Sequence, residues 1–120
     1  MLTVYGLKNC DTCRKALKWL DEQGLAHRFH DVRADGIAIA DIRRFAKAAG
    51  WETLLNKAST TWRGLPRSKT TGIAEADALK LMAEHPALIK RPVFEHKKGA
   101  VVVGFRDPQK AELKVLAGAR

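Results

Sequence analysis

The two cysteines of the chain lie three positions apart near its start, and this spacing is the first pattern that could carry chemistry. Cys10 and Cys13 form a Cys-x-x-Cys motif that follows an apolar run, Leu2 to Tyr5, and precedes a basic segment beginning with Arg14. Such a pair can hold a metal ion, close a structural disulfide, or supply a nucleophilic thiol and a second thiol that resolves the adduct. The predicted elements around the motif favour the last of these, a nucleophilic thiol with a resolving partner.

Neither a zinc site nor a structural disulfide suits this chain. His27 and His30 follow the cysteines at nearly the spacing of a zinc finger, but both fall in a predicted strand, where residues three apart point to opposite faces. We therefore expect no metal, and no bound cofactor. Hydrophobic residues make up 46% of the 120 residues. A domain of this size and composition can bury a core without a disulfide.

The predicted elements place Cys10 in the turn between a strand and a helix. Leu2, Val4 and Tyr5 predict a buried strand, and the spacing of Cys13, Ala16, Leu17 and Leu20 is that of one helix face. Free N–H groups at a helix start favour a thiolate, which is the nucleophilic form of cysteine. Positive charge nearby adds to this effect and comes from Lys8, Arg14 and Lys15. Cys13, one turn further along, should be less exposed and suits a resolving thiol.

The order of the other elements predicts an α/β domain. Leu25–Val32 predicts a second strand, and Gly24 a helix end before it. The segments that follow are helices at Ile39–Ala49, Trp51–Leu55 and Ala74–Glu84, an irregular or weakly helical stretch at Ser59–Lys69, strands at Val93–Glu95 and Ala100–Phe105 joined by a turn at 97–99, and a last helix from Asp107-Pro108 to about Leu116. This order predicts one thioredoxin-like domain over residues 1–120, with a mixed four-stranded sheet and an all-helical insertion at about 36–90.

Charge and hydropathy limit the partners and the location. The formal net charge is +9, which suits anionic partners. The basic residues are scattered and there is no RNA-reading aromatic signature, so we do not expect nucleic-acid binding. No apolar run approaches the roughly 18 residues of a membrane span, and no signal-peptide pattern begins the sequence. We expect a cytoplasmic protein that does not bind membranes.

Several blocks of the sequence resemble a known family. In chain order they read VYGLKNCDTCRKALKWL, FHDVRADG, GW followed by LLNKASTTWR, then HPALIKRPV and VVVGF. Together they resemble the arsenate-reductase-like (ArsC/Spx) family and are closest to its YffB-type branch. The resemblance covers essentially the whole chain and implies the same thioredoxin-like fold with a helical insertion.

The resemblance also implies roles for individual residues. Cys10 matches the cysteine that attacks the oxyanion in arsenate reductases of this fold. The arginines that surround the bound anion in those enzymes are matched by Arg63, Arg91 and Arg106. Further residues expected at the substrate are Asn9, Thr12, Arg14 and Pro92, of which Thr12 and Arg14 complete the family's Cys-x-Thr-x-Arg pattern. The Arg91–Pro92 bond is expected to be cis, since thioredoxin-like folds have a cis proline facing the cysteine.

Two functions are consistent with this resemblance. The first is a glutathione-dependent thiol reductase that acts as a monomer on an anionic or disulfide substrate, with Cys10 as nucleophile and glutathione or Cys13 resolving the adduct. The second is a redox-switch regulator similar to Spx, which binds RNA polymerase and has a Cys-x-x-Cys motif at this position. Many YffB-like proteins have a single cysteine here, so the second cysteine of this chain makes an internal Cys10–Cys13 disulfide possible.

Overall fold

The computed structural model describes residues 1–118, which divide into two compact units. One unit contains Met1–Gly36 and the chain from Arg91 onward, and the other contains Ile37–Lys90. The elements in chain order are β1 (Leu2–Gly6), α1 (Asp11–Glu22), β2 (His27–Asp31), α2 (Ile39–Ala49), α3 (Trp51–Leu54), α4 (Thr60–Arg63), α5 (Arg67–Thr70), α6 (Glu75–Glu84), a 3-10 turn (Pro86–Leu88), β3 (Val93–His96), β4 (Val101–Val103) and α7 (Asp107–Gly118). The single domain over 1–120 stays a prediction.

The first unit contains the predicted mixed four-stranded sheet. Its strand order is β2-β1-β3-β4, with β1 parallel to β2 and antiparallel to β3, and β3 antiparallel to β4. Two strands are shorter than expected. β2 covers only His27–Asp31, and β4 ends at Val103 because Gly104 turns the chain with a φ of 91° and donates its N–H to the Pro92 carbonyl at 2.9 Å. The sequence Asp107-Pro108 predicts Asp107 as the N-cap and Pro108 as the first helical residue. In the structure, the last helix already includes Asp107 as its first residue.

One apolar cluster joins the sheet of the first unit to its two helices. The cluster consists of Leu2, Val4, Ala16, Leu20, Phe94, Val102 and Leu113. Alternate residues of β1 and the i, i+4 face of α1 contribute to it, as the predicted periodicities require. This packing fixes the start of α1 against the end of β1, which is where both cysteines lie.

The second unit is helical apart from one isolated bridge between Leu55 and Ile89. α2 packs against α3 and α6, and the bounds of α2 agree with the prediction. The stretch expected to be irregular contains two single-turn helices, α4 and α5. The Ser59 side chain begins α4 by accepting the Trp62 N–H at 3.1 Å. The fold class predicted from the sequence is thus confirmed for the sheet and for the helical segment.

Within residues 1–118, no helix is long and apolar enough to cross a membrane.

Candidate functional site

Cys10 lies at the N-cap of α1, in the turn that connects this helix to β1. Its backbone is extended, with φ −94° and ψ 119°, and its carbonyl accepts the first helical hydrogen bond from the Arg14 N–H at 3.0 Å. Its own N–H donates to the Leu7 carbonyl at 3.2 Å, which closes the turn. In this position the thiol is next to the free N–H groups of the first helical turn.

These N–H groups make the thiolate of Cys10 more stable than that of an ordinary cysteine. Partial burial acts in the opposite direction and by itself would raise the pKa of Cys10. Hydrogen bonds from the Cys13 and Thr12 N–H groups, a hydrogen bond with the Cys13 side chain and the positive charge of Arg91 outweigh the burial. The net result is a pKa of Cys10 below its usual value, in a side chain that is still partly exposed.

Cys13 has the opposite character. Its side chain is fully buried, and this burial, together with the adjacent Cys10 sulfur, raises the pKa of Cys13 to about 11. The end of β1 approaches it so closely that a Cβ atom on Gly6 would lie 2.6 Å from the Cys13 Sγ. Cys13 therefore stays a thiol at neutral pH and can donate a hydrogen bond to the Cys10 thiolate. The two sulfurs are chemically unequal, as a nucleophile and a resolving thiol must be.

A cavity of about 390 Å³ opens beside Cys10. Its walls are formed by Leu7, Lys8, Asn9, Cys10, Asp31, Arg33 and Arg91, all of which belong to the first unit. Three of these residues are cationic and one is anionic. The cavity can therefore hold an anionic group next to the sulfur, since guanidinium groups bind carboxylates and oxyanions through paired hydrogen bonds.

Arg91 is the cation that acts on both cysteines. Within the described residues, its buried Nε has no hydrogen-bond partner. A buried donor without an acceptor is unfavourable, and such a group calls for an explanation. An anion in the cavity would supply the acceptor. The next peptide bond, Arg91–Pro92, is cis as expected, and Pro92 is buried.

Two cavity residues, Asp31 and Arg33, were not identified from the sequence. Asp31 ends β2, and in the parallel pairing of β1 with β2 it lies opposite Gly6, four residues before Cys10 in the sequence. The carboxyl ends of adjacent parallel strands share one edge of the sheet, so the predicted strand order contained a signal for both residues. The exposed Arg33 follows two residues later.

The remaining candidate residues differ in their position relative to the cavity. Asn9 lines the cavity, and Thr12 bonds to Cys10 through its backbone. Arg14 is exposed and forms an ion pair with Asp11 at 2.6 Å. Two candidates are exposed and do not line the cavity: Arg106, which directly precedes α7, and Arg63, which ends α4 in the helical unit. Their roles in anion binding stay predictions.

Nothing in the described part of the chain assembles a metal site. Residues 1–118 contain no group of three or more His, Cys, Asp or Glu side chains that could hold a metal ion.

Comparison with known proteins identifies the family. The model of the ArsC family matches residues 5–113. This chain belongs to the ArsC family. A solved YffB protein is 42% identical, with a TM-score of 0.87 over 97% of this chain and 99% of its own. A solved ArsC-related protein from Brucella melitensis is 41% identical, with a TM-score of 0.75 and 92% of each chain covered.

Curated relatives extend this picture. An uncharacterized protein of Haemophilus influenzae is 42% identical over 91% of this chain and 95% of its own length. The global transcriptional regulator Spx of Bacillus subtilis is 24% identical over 91% of this chain and 83% of its own. The fold is therefore the thioredoxin-like α/β fold of ArsC proteins, and the resemblance to the YffB branch is confirmed. ArsC membership supports a thiol oxidoreductase, although the family also includes regulators.

Proposed function

We propose that this ArsC-family protein is a glutathione-dependent thiol reductase in which Cys10 is the nucleophile. The observation that carries the proposal is the inequality of the two thiols. Cys10 is partly exposed, has a lowered pKa and borders a cavity with three cationic residues, whereas Cys13 is buried and its pKa is raised to about 11. This inequality determines which sulfur attacks first, since the thiolate is the reactive form.

With a disulfide substrate, the reaction has two steps. The Cys10 thiolate attacks one sulfur of the substrate, the substrate S–S bond breaks, and the departing thiolate takes up a proton. In the second step, the Cys13 thiol can lose its proton and attack the Cys10 sulfur, which breaks the bond between Cys10 and the substrate and releases the second substrate thiol. Alternatively, a glutathione thiolate attacks the substrate sulfur of the mixed disulfide, which releases the Cys10 thiolate and leaves a disulfide between glutathione and the substrate. The first route oxidises the protein to a Cys10–Cys13 disulfide, which two glutathione molecules then reduce to the two thiols while they become one glutathione disulfide.

The arginines would hold the negative charge of the substrate. Arg91 borders the cavity and has a buried Nε that lacks an acceptor within the described residues. By family resemblance, Arg63 and Arg106 would complete the anion site. Glutathione carries carboxylates and is itself an anion that this site could bind. We infer that the reaction takes place in the cytoplasm, where the glutathione pool keeps thiols reduced.

The test is the intact mass of the reduced protein after incubation with oxidised glutathione. We expect a mass increase of one glutathionyl group on Cys10 that disappears in Cys10→Ser and accumulates in Cys13→Ser, which lacks the resolving thiol. Reductase activity with a glutathione-coupled assay, with arsenate as one candidate substrate, should be lost in Cys10→Ser and partly kept in Cys13→Ser. Full activity in Cys10→Ser would refute the proposal.

A second candidate function is a redox switch similar to that of Spx. It is favoured by the proximity of the two cysteine side chains, which influence each other's pKa, and by the similarity to Spx regulators. In this case, oxidation removes two hydrogens and leaves no glutathione adduct. The reduced and oxidised forms should then differ in capture of the C-terminal domain of the RNA polymerase α-subunit. Equal or absent capture by the two forms removes this candidate.

A further inference from the structure

Arg33 brings a second guanidinium group to the cavity beside Cys10, in addition to that of Arg91. Both arginines line the same space of about 390 Å³, which Cys10 also borders. Arg33 belongs to the turn after β2, whereas Arg91 lies just before β3, so the two cations come from different parts of the chain. Any group held in this cavity is therefore close to both charges.

The backbone of Arg33 is held by hydrogen bonds within its own turn. The Asp31 Oδ1 accepts the N–H groups of Arg33 at 2.8 Å and of Ala34 at 3.0 Å, and the Asp31 carbonyl accepts the Asp35 N–H at 2.8 Å. Asp31 is itself the last residue of β2 and pairs with Gly6 of β1. The turn that carries Arg33 is thus tied to the strand that leads to the cysteines.

The guanidinium group of Arg33 has no acidic partner among residues 1–118. Asp31 is the acidic residue of the cavity wall, but its side chain is only 6% exposed and its Oδ1 already accepts two backbone N–H groups. Within the same residues, the buried Nε of Arg91 has no acceptor either. An anionic ligand would supply acceptors to both arginines, since guanidinium groups bind carboxylates through charge-assisted hydrogen bonds.

We propose that Arg33 is a substrate-binding residue that selects, among the substrates that Cys10 attacks, those with an anionic group. The anionic group binds between Arg33 and Arg91 while the reacting atom faces the Cys10 sulfur. The inference rests on the proposed function, because it names the substrate class of the same nucleophile. Arg33 is not among the three arginines that the family resemblance assigns to the anion.

Binding of the substrate anion can be separated from an effect on the sulfur. If the charge of Arg33 only stabilised the Cys10 thiolate, its loss would slow the reaction with every reagent by the same factor. If Arg33 binds the substrate, its loss slows the reaction with anionic reagents alone. A unit charge about 6 Å from an anion changes its binding about threefold in water, and more in a cavity of lower dielectric. We therefore expect an effect of about three- to tenfold.

The experiment compares the alkylation of Cys10 in the reduced protein by iodoacetate, an anion, and by iodoacetamide, its neutral analogue. The labelled cysteine is identified by peptide mass. Both reagents react with the same thiolate, so the ratio of the two rate constants does not depend on the Cys10 pKa. The variants are Arg33→Gln and Arg33→Lys. The matched control is Arg28→Gln, which changes an exposed arginine of β2 that donates to the Thr3 Oγ1 at 3.2 Å and does not line the cavity.

We expect the ratio of the iodoacetate rate to the iodoacetamide rate to fall about three- to tenfold in Arg33→Gln. Arg33→Lys, which keeps the charge, should lie between this variant and the wild type, and Arg28→Gln should equal the wild type. An unchanged ratio in Arg33→Gln overturns the proposal, and so does an equal fall in Arg28→Gln, which would reflect net charge alone.

The measurement uses neither glutathione nor a disulfide, so its failure is distinguishable from failure of the reductase proposal. That proposal fails if wild-type Cys10 forms no glutathione adduct, whatever the variants of Arg33 show.

Discussion

The close approach of Gly6 to Cys13 gives a prediction that can be worked out from distances. Replacing Gly6 by alanine places a Cβ atom 2.6 Å from the Cys13 Sγ, 3.3 Å from its Cβ and 3.4 Å from a ring carbon of Phe29. Ordinary contacts between such atoms are about 3.5–4.0 Å, so the sulfur must move by roughly 1 Å. Cys13 is fully buried in the face of α1. Because protein interiors are close-packed, moving its sulfur displaces neighbouring side chains.

We therefore expect Gly6→Ala to reduce the free energy of unfolding by about 1–3 kcal/mol, the usual cost of an overpacked core. Urea denaturation of the reduced protein measures this loss as a lower midpoint at unchanged slope. Cys13→Ala removes the sulfur that causes the clash. In that background, Gly6→Ala should cost less than about 1 kcal/mol, because only the two contacts of 3.3 Å and 3.4 Å remain.

A matched control for this cycle is Gly64→Ala. Gly64 has helical backbone angles, φ −80° and ψ −9°, and its added Cβ would meet only backbone oxygens at 3.5 and 3.6 Å. This variant should be neutral or stabilising by up to about 1 kcal/mol. An equal cost of Gly6→Ala with and without the Cys13 sulfur would refute the reasoning, since it would show that the sulfur contact does not limit the space at Gly6.

Three further predictions concern charge and capping. Cys13 keeps its proton in the folded chain up to about pH 11, whereas an unfolded cysteine loses it near pH 9. The free energy of unfolding should therefore fall as the pH rises from about 9 to about 11. In Cys13→Ala, this part of the pH dependence of urea unfolding should be absent. Arg91→Lys keeps the charge but removes the guanidinium fork, so kcat/KM for an anionic substrate should fall about 10- to 100-fold. The control is Arg28→Gln, which changes an exposed arginine of β2 and should leave kcat/KM unchanged. Equal kcat/KM for the wild type and Arg91→Lys contradicts the proposed anion site. Ser59→Ala removes the acceptor for the Trp62 N–H and should cost about 1 kcal/mol in thermal or urea unfolding, and an unchanged stability would show that this cap contributes nothing.

Local pattern was enough to predict most of the secondary structure. The apolar stripe from Cys13 to Leu20 predicts α1, and Ile39–Ala49 is a helix with the bounds that its periodicity indicates. Helix periodicity is a property of neighbouring residues, so one sequence contains it in full. Strand ends were less predictable, because Gly104 ends β4 through a hydrogen bond to Pro92, twelve residues earlier in the chain.

The position of Cys10 at a helix start could also be derived from the sequence alone. When a short strand, a cysteine and an amphipathic helix follow each other directly, the cysteine must lie in the turn between the strand and the helix. Its neighbours from other elements could not be derived in this way. Arg91 was assigned by family resemblance; the structure places it at the cavity beside Cys10, and its role there stays a prediction. That its buried Nε lacks a hydrogen-bond partner among residues 1–118 is visible only in the folded chain.

The sequence by itself thus determined the fold class, the helix that carries the cysteines and the physical reason for proposing Cys10 as the nucleophile. Tertiary structure alone decided how Asp31 and Arg33 reach the cavity and how Gly6 approaches Cys13. The physical reason is the range of the interactions. Helix starts and apolar stripes arise from residues within a few positions of each other, whereas the cavity depends on the register between β1 and β2, which pairs Gly6 with Asp31.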